Sequence, residues 1–434
     1  MSKYKKNKFN INLNLNIRGL EPSATLAINE KCRQLIKENK EVYRLGLGQS
    51  PFPVPAEVVE ALCKNAHQKD YLPVKGLMEL RESIAQFNLK MHKIEANPED
   101  IIIGPGSKEL IFILQLVYYG DLIIPTPSWV SYAPQARIIG RNVHWVPTSK
   151  ENDLRLSPDN LEEICRKDPD KPRIAILNYP SNPTGATYPI ERLKRLAEVA
   201  RKYKVILVSD EIYGLLHHKN QHVSVARFYP EGTIISNGLS KWCGAGGWRL
   251  GYFSFPSELK WLHDAMAVVA SETFTATSAP IQYAAVTAFN GGPFLDLYLS
   301  RARKVLKTIL KYIMLRFDQL KITYPHPQGG FYIFPDFEHY REKLIDKGIH
   351  TGRELCEKLL QETGVAMLPG VDFGRSPQEY SARIAYVDFN GTEVMNECDI
   401  LFVEEKGSHE KFVREHCPKI DQAIDRLGNW LSEL

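Results

Sequence analysis

Lys241 is the residue of this 434-residue chain with the most chemistry to offer. It stands in SNGLSKWCGAGGWRLGYF, Ser236 to Phe253, between an apolar run and a glycine-rich loop, and Arg249 follows in the same segment. A lysine amine that sheds its proton attacks carbonyls and carries protons. An arginine offers a planar fork to phosphate or carboxylate. Taken alone, such a lysine reads as solvated. Three other segments change that reading. VILVSDEIYG puts Asp210 and Glu211 at the end of an apolar run, where open α/β sheets place their ligands. ILNYPSNPTGATY ends a second run in a Pro/Asn/Gly loop. IIIGPGSKELIFIL passes through Gly104 and Gly106 into a helix beginning near Ser107, and the free N–H groups of a helix start attract anions.

These residues need a frame to hold them. Short apolar runs rich in branched residues read as buried strands: Ile101–Ile103, Leu122–Ile124, Ile174–Leu177, Val205–Val208, Thr233–Ser236 and Leu250–Phe253. Amphipathic stretches such as Ile190–Tyr203 lie between several of them, which argues for a mostly parallel sheet covered by helices. Helices are expected from Ser23 through Ile36, after Pro55, and around Leu297–Leu320. HPQGGFYIF marks a turn into a further segment. It holds strand-like Phe331–Phe334, a helix near Gly352–Thr363, strand-like Ala382–Asp388 and a terminal helix near Pro418–Leu431. The stretch from Asn396 to Pro418 is long and charged, and reads as a surface loop or a lid.

In order and spacing, the chemical segments resemble the class I aminotransferases, which are pyridoxal-phosphate (PLP) enzymes of fold type I. The prokaryotic-type aspartate aminotransferase branch is the most similar. The resemblance begins at GLEPSATLAINEK and continues through LGLGQSPFPVP, YLPVKGLMELR, PTPSWVSY, SNPTGA, SDEIY, LSK…GGWRLGY and GGFY to SARIAYVDF. It implies an α/β large domain over residues 51–320, with a seven-stranded, mostly parallel sheet. A smaller α+β domain over 321–434 is joined by an arm and helix from 1–50.

It also implies roles. Lys241 matches the Schiff-base lysine, whose freed amine then moves the substrate Cα proton. Asp210 matches the carboxylate facing the pyridine nitrogen. Asn182 and Tyr213 match the partners of the ring's phenolic oxygen, and Trp129 the aromatic stacked on the ring. Gly106, Ser107, Lys108 and Arg249 resemble the phosphate cradle; Ser240 or Ser236 supplies its remaining hydroxyl. Tyr71 resembles the residue that reaches the neighbouring subunit's phosphate, which implies a homodimer with shared sites. Gly48 and Arg383 resemble the backbone loop and the arginine that hold the substrate and its α-carboxylate. Lys108 matches the lysine that meets a distal carboxylate, and Ser23-Ala24-Thr25 the stretch that closes over that end.

The implied reaction is transamination of an L-amino acid with a 2-oxo acid, with aspartate or glutamate and 2-oxoglutarate as the leading pair. Aromatic or broad-range transamination and a same-fold C–S lyase or synthase are the rivals. Blander readings stand beside these roles. Asp210 suits a helix N-cap, Arg383 a surface ion pair, Trp129 and Tyr213 packing, and Lys108 a first-turn lysine facing solvent. Cys243 reads as packing, and His217–His218 as a loop feature rather than metal ligands.

Composition narrows the partners. Net charge is +4 over 55 basic and 51 acidic residues, so nothing favours nucleic acid or a membrane surface. Seven scattered cysteines with no C-x-x-C pair read as reduced thiols, which suits the cytoplasm. The first 20 residues hold basic residues and no acid, and Asn interrupts their apolar pairs. They are expected to form an arm rather than a secretory signal.

Overall fold

The computed structural model describes residues 12–401 and 408–434. Its centre is a seven-stranded sheet ordered Ile101–Gly104, Gly251–Ser254, Thr233–Gly238, Ile206–Asp210, Arg173–Asn178, Asp121–Thr126 and Val143–Pro147. Five neighbouring strands run parallel, and Gly251–Ser254 runs antiparallel to both its neighbours. Helices cover both faces, so Ile206–Asp210, Thr233–Gly238 and Gly251–Ser254 are buried throughout, polar residues included. Val143–Pro147 has no counterpart among the expected strands. It is an edge strand whose His144, Trp145 and Pro147 are exposed, so it lacks the continuous apolar signature.

The expected helices form at Ala24–Lys37, Ala56–Asn65, Ser107–Val117, Ile190–Lys202 and Pro293–Gln319. The last buries Leu299, Ala302, Leu306, Ile309, Ile313 and Phe317 along one stripe. Beyond it, Leu368–Pro369, Ala382–Ala385 and Tyr332–Ile333 make a small antiparallel sheet. Tyr43–Arg44 pairs in parallel with Val365–Ala366, which ties the segment before residue 50 to the C-terminal part of the chain.

The 396–418 stretch is not one loop. It is helical up to Leu401 and again over Ser408–His416; residues 402–407 lie outside the described part. Its charges hid an amphipathic pattern, because Phe412, Val413 and Cys417 point into the core. The six described cysteines are free, and Cys243 packs fully buried. Among the described residues, no helix is long and apolar enough to cross a membrane.

Candidate active site

Strand direction explains why the chemical residues meet. Asn178 and Asp210 are the last residues of parallel strands, and Lys241 follows the end of Thr233–Gly238 by one tight turn. Gly251–Ser254 runs the other way, so its beginning, with Arg249 just ahead of it, reaches the edge where the others end. Ser107 opens its helix at the same edge after Ile101–Gly104. From the small sheet, Ala382–Ala385 contributes Arg383 and Tyr332–Ile333 contributes Tyr332. A cavity of about 450 Å³ lies between them.

That cavity is lined by Gly48, Ser107, Lys108, Trp129, Asn182, Asp210, Tyr213, Ser240, Lys241, Arg249 and Arg383, all singled out from sequence. Ser240 is on its wall, whereas Ser236 is fully buried and points its hydroxyl at Asp210 (3.5 Å). Gly106 stands behind the wall; a Cβ there would meet the Arg249 guanidinium at 2.3 Å. Tyr71 is apart from the cavity and 92% exposed. Lys108 does not point away into solvent, since its Nζ lies 5.3 Å from the centre of the Trp129 ring.

Lys241 Nζ donates to the Gly48 carbonyl at 2.8 Å. Arg383 is fully buried; one terminal nitrogen donates to Asn182 Oδ1 at 3.0 Å and the other to the Gly46 carbonyl. Its guanidinium lies 4.8 Å from the Tyr332 ring centre and 5.0 Å from that of Phe373. Among the described residues it makes no ion pair.

Residues 40–397 match the family model for aminotransferase class I and II. The chain belongs to that family. It is 34% identical over 368 residues to an aspartate aminotransferase of Geobacillus stearothermophilus, covering 82% of this chain and 91% of the relative. It is 32% identical to a probable aspartate/prephenate aminotransferase of Aquifex aeolicus, with 82% and 90% covered. Among solved structures it superposes on the aspartate aminotransferase of Thermus thermophilus with maleate, at a TM-score of 0.80 and 29% identity. That match covers 93% of this chain and 99% of the other.

The family implies PLP, and the wall of this aminotransferase fits such a group. Four cations, Lys108, Lys241, Arg249 and Arg383, face the cavity against one carboxylate, Asp210. So lopsided a set calls for anions such as a phosphate and a carboxylate. Burial, followed by the nearby Arg383 and Arg249, pulls the Lys241 amine down to about 8, within reach of a neutral nucleophile. Burial raises Asp210 to about 6, although Tyr132, the Ile212 N–H and Ser236 hydrogen-bond it. A buried carboxylate with hydrogen-bond donors and, among the described residues, no ion pair is suited to a protonated pyridine nitrogen. Gly251 explains how closely the cradle approaches: a Cβ there would sit 2.3 Å from the Ser107 backbone nitrogen.

Sequence reasoning missed two cavity phenols. Tyr132 Oη donates to Asp210 Oδ2 at 2.5 Å, and Tyr332 Oη lies 2.9 Å from Tyr213 Oη. Tyr132 stands three residues after Trp129 in PTPSWVSY and Tyr332 ends GGFY, so both sat inside recognised motifs without a role.

A third omission is a buried cluster beside Asp210. Glu211 accepts from Ser209, Ser224 and, at 2.7 Å, from His222 Nε2, with His92 Nδ1 3.8 Å away. Burial works to raise the Glu211 pKa, but His222 and its other donors bring it down to about 2. These three are the possible metal-ligand set among the described residues. The 2.7 Å contact is shorter than the roughly 3.3 Å between two ligands on one tetrahedral zinc ion, so the cluster reads as a hydrogen-bonded anchor. No sequence spacing links positions 92, 211 and 222. His217, by contrast, accepts the N–H groups of Lys219 and Gln221, as a loop residue should.

Proposed function

We propose that this aminotransferase binds PLP through Lys241 and transaminates dicarboxylic L-amino acids, aspartate and glutamate, with 2-oxoglutarate as acceptor. The observation that carries the amino-acid reading is Arg383, and the choice of a dicarboxylic substrate rests on Lys108. A fully buried guanidinium facing the cavity without an ion pair is costly unless a ligand carboxylate completes it. Lys108, from the first turn of a different element, offers a second cation for a distal carboxylate. The maleate of the Thermus structure, itself a dicarboxylate, agrees with this reading.

PLP, when bound, withdraws electrons from the substrate Cα and so loosens its proton. The chain's residues do the rest. Asp210 holds the positive charge of the ring nitrogen, and Tyr132 and Ser236 hold Asp210. Asn182 and Tyr213 would hold the ring's phenolic oxygen, and Trp129 would pack against the ring. Ser107, Ser240, Arg249 and the N–H groups after Gly106 take the phosphate. The Lys241 amine, when not bound to the cofactor, would be placed to hold and move the substrate Cα proton. Burial keeps that amine from being locked in its charged form.

Domains divided near residues 50 and 320, a homodimer in which the exposed Tyr71 reaches a neighbour's phosphate, and a cytoplasmic setting complete the proposal.

The test is a half-reaction. Aspartate, alanine and phenylalanine are mixed separately with loaded enzyme and with Lys108→Ala, and formation of the pyridoxamine form is followed by absorbance. The reading expects the parent to prefer aspartate, and the variant to lose roughly tenfold or more on aspartate but little on alanine. A parent that favours phenylalanine would replace it with an aromatic transaminase. Full aspartate activity in Lys108→Ala would remove the distal-carboxylate site. Release of pyruvate and ammonia without the pyridoxamine form would indicate a lyase.

A further inference from the structure

Tyr332 has no role in the scheme above, yet it lines the cavity and lies against Tyr213, Gly48 and Arg383. It is 1% exposed, on a short strand two positions in register from Arg383, and its ring is a surface of the cavity. Its hydroxyl stands 2.9 Å from Tyr213 Oη and 3.5 Å from the Gly48 carbonyl. A Cβ on Gly48 would fall 1.9 Å from that hydroxyl, so residue 48 is small where Tyr332 fills the space.

A phenol has one proton to give. The Gly48 carbonyl already accepts Lys241 Nζ at 2.8 Å, and 3.5 Å is beyond the usual range of an O–H···O bond. Tyr213 at 2.9 Å is the better acceptor. The Arg383 guanidinium against the Tyr332 ring favours the same direction, because a nearby cation makes a phenol the stronger donor. Burial raises the pKa of both phenols, and Arg383 is the leading influence that opposes it at Tyr332.

We propose that Tyr332 is a positioning residue of this site: its hydroxyl donates to the Tyr213 oxygen, turns the Tyr213 proton toward the cavity, and strengthens Tyr213 as a hydrogen-bond donor. The inference rests on the reading that Tyr213 serves the phenolic oxygen of PLP. There a donor stabilises the anionic oxygen and makes the linkage to Lys241 give up its proton at lower pH. A chain of two hydroxyls polarises its members, so losing the outer one weakens the inner one without abolishing it. Among the described residues, the other charged and titratable groups around this pair are Lys241, whose Nζ lies 5.8 Å from the Tyr213 ring centre, Arg383, Asp210 and Tyr132. All of them remain in the variants used.

The experiment is a pH titration of the visible absorption of the PLP-loaded enzyme, run on the parent, Tyr332→Phe, Tyr213→Phe and the double variant. Phenylalanine keeps the ring and its packing. Tyr332→Phe is expected to raise the titration midpoint by a few tenths of a pH unit, and Tyr213→Phe by more. In the double variant the midpoint should match Tyr213→Phe, because Tyr332 acts only through Tyr213. An unchanged midpoint in Tyr332→Phe, or equal shifts with and without Tyr213, would overturn the inference. A lowered midpoint would also do so, by showing that Tyr332 competes for the Tyr213 proton. Absence of any titrating band in the parent would instead defeat the PLP reading itself.

Discussion

Replacing Arg383 separates the roles of charge and shape in substrate binding. In Arg383→Lys the site keeps a positive charge but loses the planar fork, whose two terminal nitrogens are fixed by Asn182 and the Gly46 carbonyl. A substrate carboxylate then forfeits one of two charge-assisted hydrogen bonds, each worth about 1.5–3 kcal/mol. That corresponds to a fall of roughly 10- to 150-fold in kcat/KM for aspartate. Arg383→Leu removes the charge and leaves a carboxylate facing an apolar wall, which costs about 3–5 kcal/mol, or roughly 150- to 5,000-fold. Arg383 is fully buried and donates to Asn182 and the Gly46 carbonyl, so Arg383→Leu leaves two buried acceptors unpaired and should also lower the unfolding temperature, whereas Arg383→Lys keeps a donor and should lower it less. Steady-state rates with aspartate and 2-oxoglutarate, alongside thermal melts, give both quantities. An Arg383→Lys enzyme within about threefold of the parent in kcat/KM would refute the bidentate role.

Other expectations follow from the same geometry. Asp210 has its pKa raised by burial from 3.8 to about 6, so the stability it contributes is full below about pH 4 and is lost as pH rises through 6. The loss amounts to at most about 3 kcal/mol, so Asp210→Asn should gain on the parent in cofactor-free melts as the buffer moves from about pH 4 to 7. A gap that does not change with pH would contradict the burial argument. In Gly251→Ala a methyl group would press on the Ser107 backbone nitrogen, so PLP affinity should fall by roughly tenfold or more, read by fluorescence titration of the cofactor-free protein. Unaltered affinity would place the phosphate elsewhere. Tyr71→Phe should leave the unfolding temperature unchanged but weaken PLP binding, and sedimentation should show a dimer; a loaded, active monomer would contradict the shared site.

The sequence was most legible where chemistry and burial coincide. Six apolar runs marked strands because those strands are covered on both faces, with Asp210 ending one of them and Lys241, Asn182 and Arg249 in turns beside their ends. The edge strand Val143–Pro147 escaped because one half of its surface is wet. The helices around 396–418 escaped because Phe412 and Val413 are few among many charges. Tyr132 and Tyr332 were visible as aromatics, but their partners Asp210 and Tyr213 lie 78 and 119 positions away. That Ser240 rather than Ser236 faces the cavity needed the direction of side chains, since both lie near the same strand end.

The central claim is that Lys241 carries the cofactor. Its most direct test is to load the protein with PLP, reduce with borohydride, digest, and locate the modified lysine by mass spectrometry. The account predicts a visible band that borohydride abolishes and a phosphopyridoxyl group on the Lys241 peptide; Lys241→Ala should show neither. A stable band in Lys241→Ala, or modification concentrated on Lys108 or surface lysines in the parent, would contradict it.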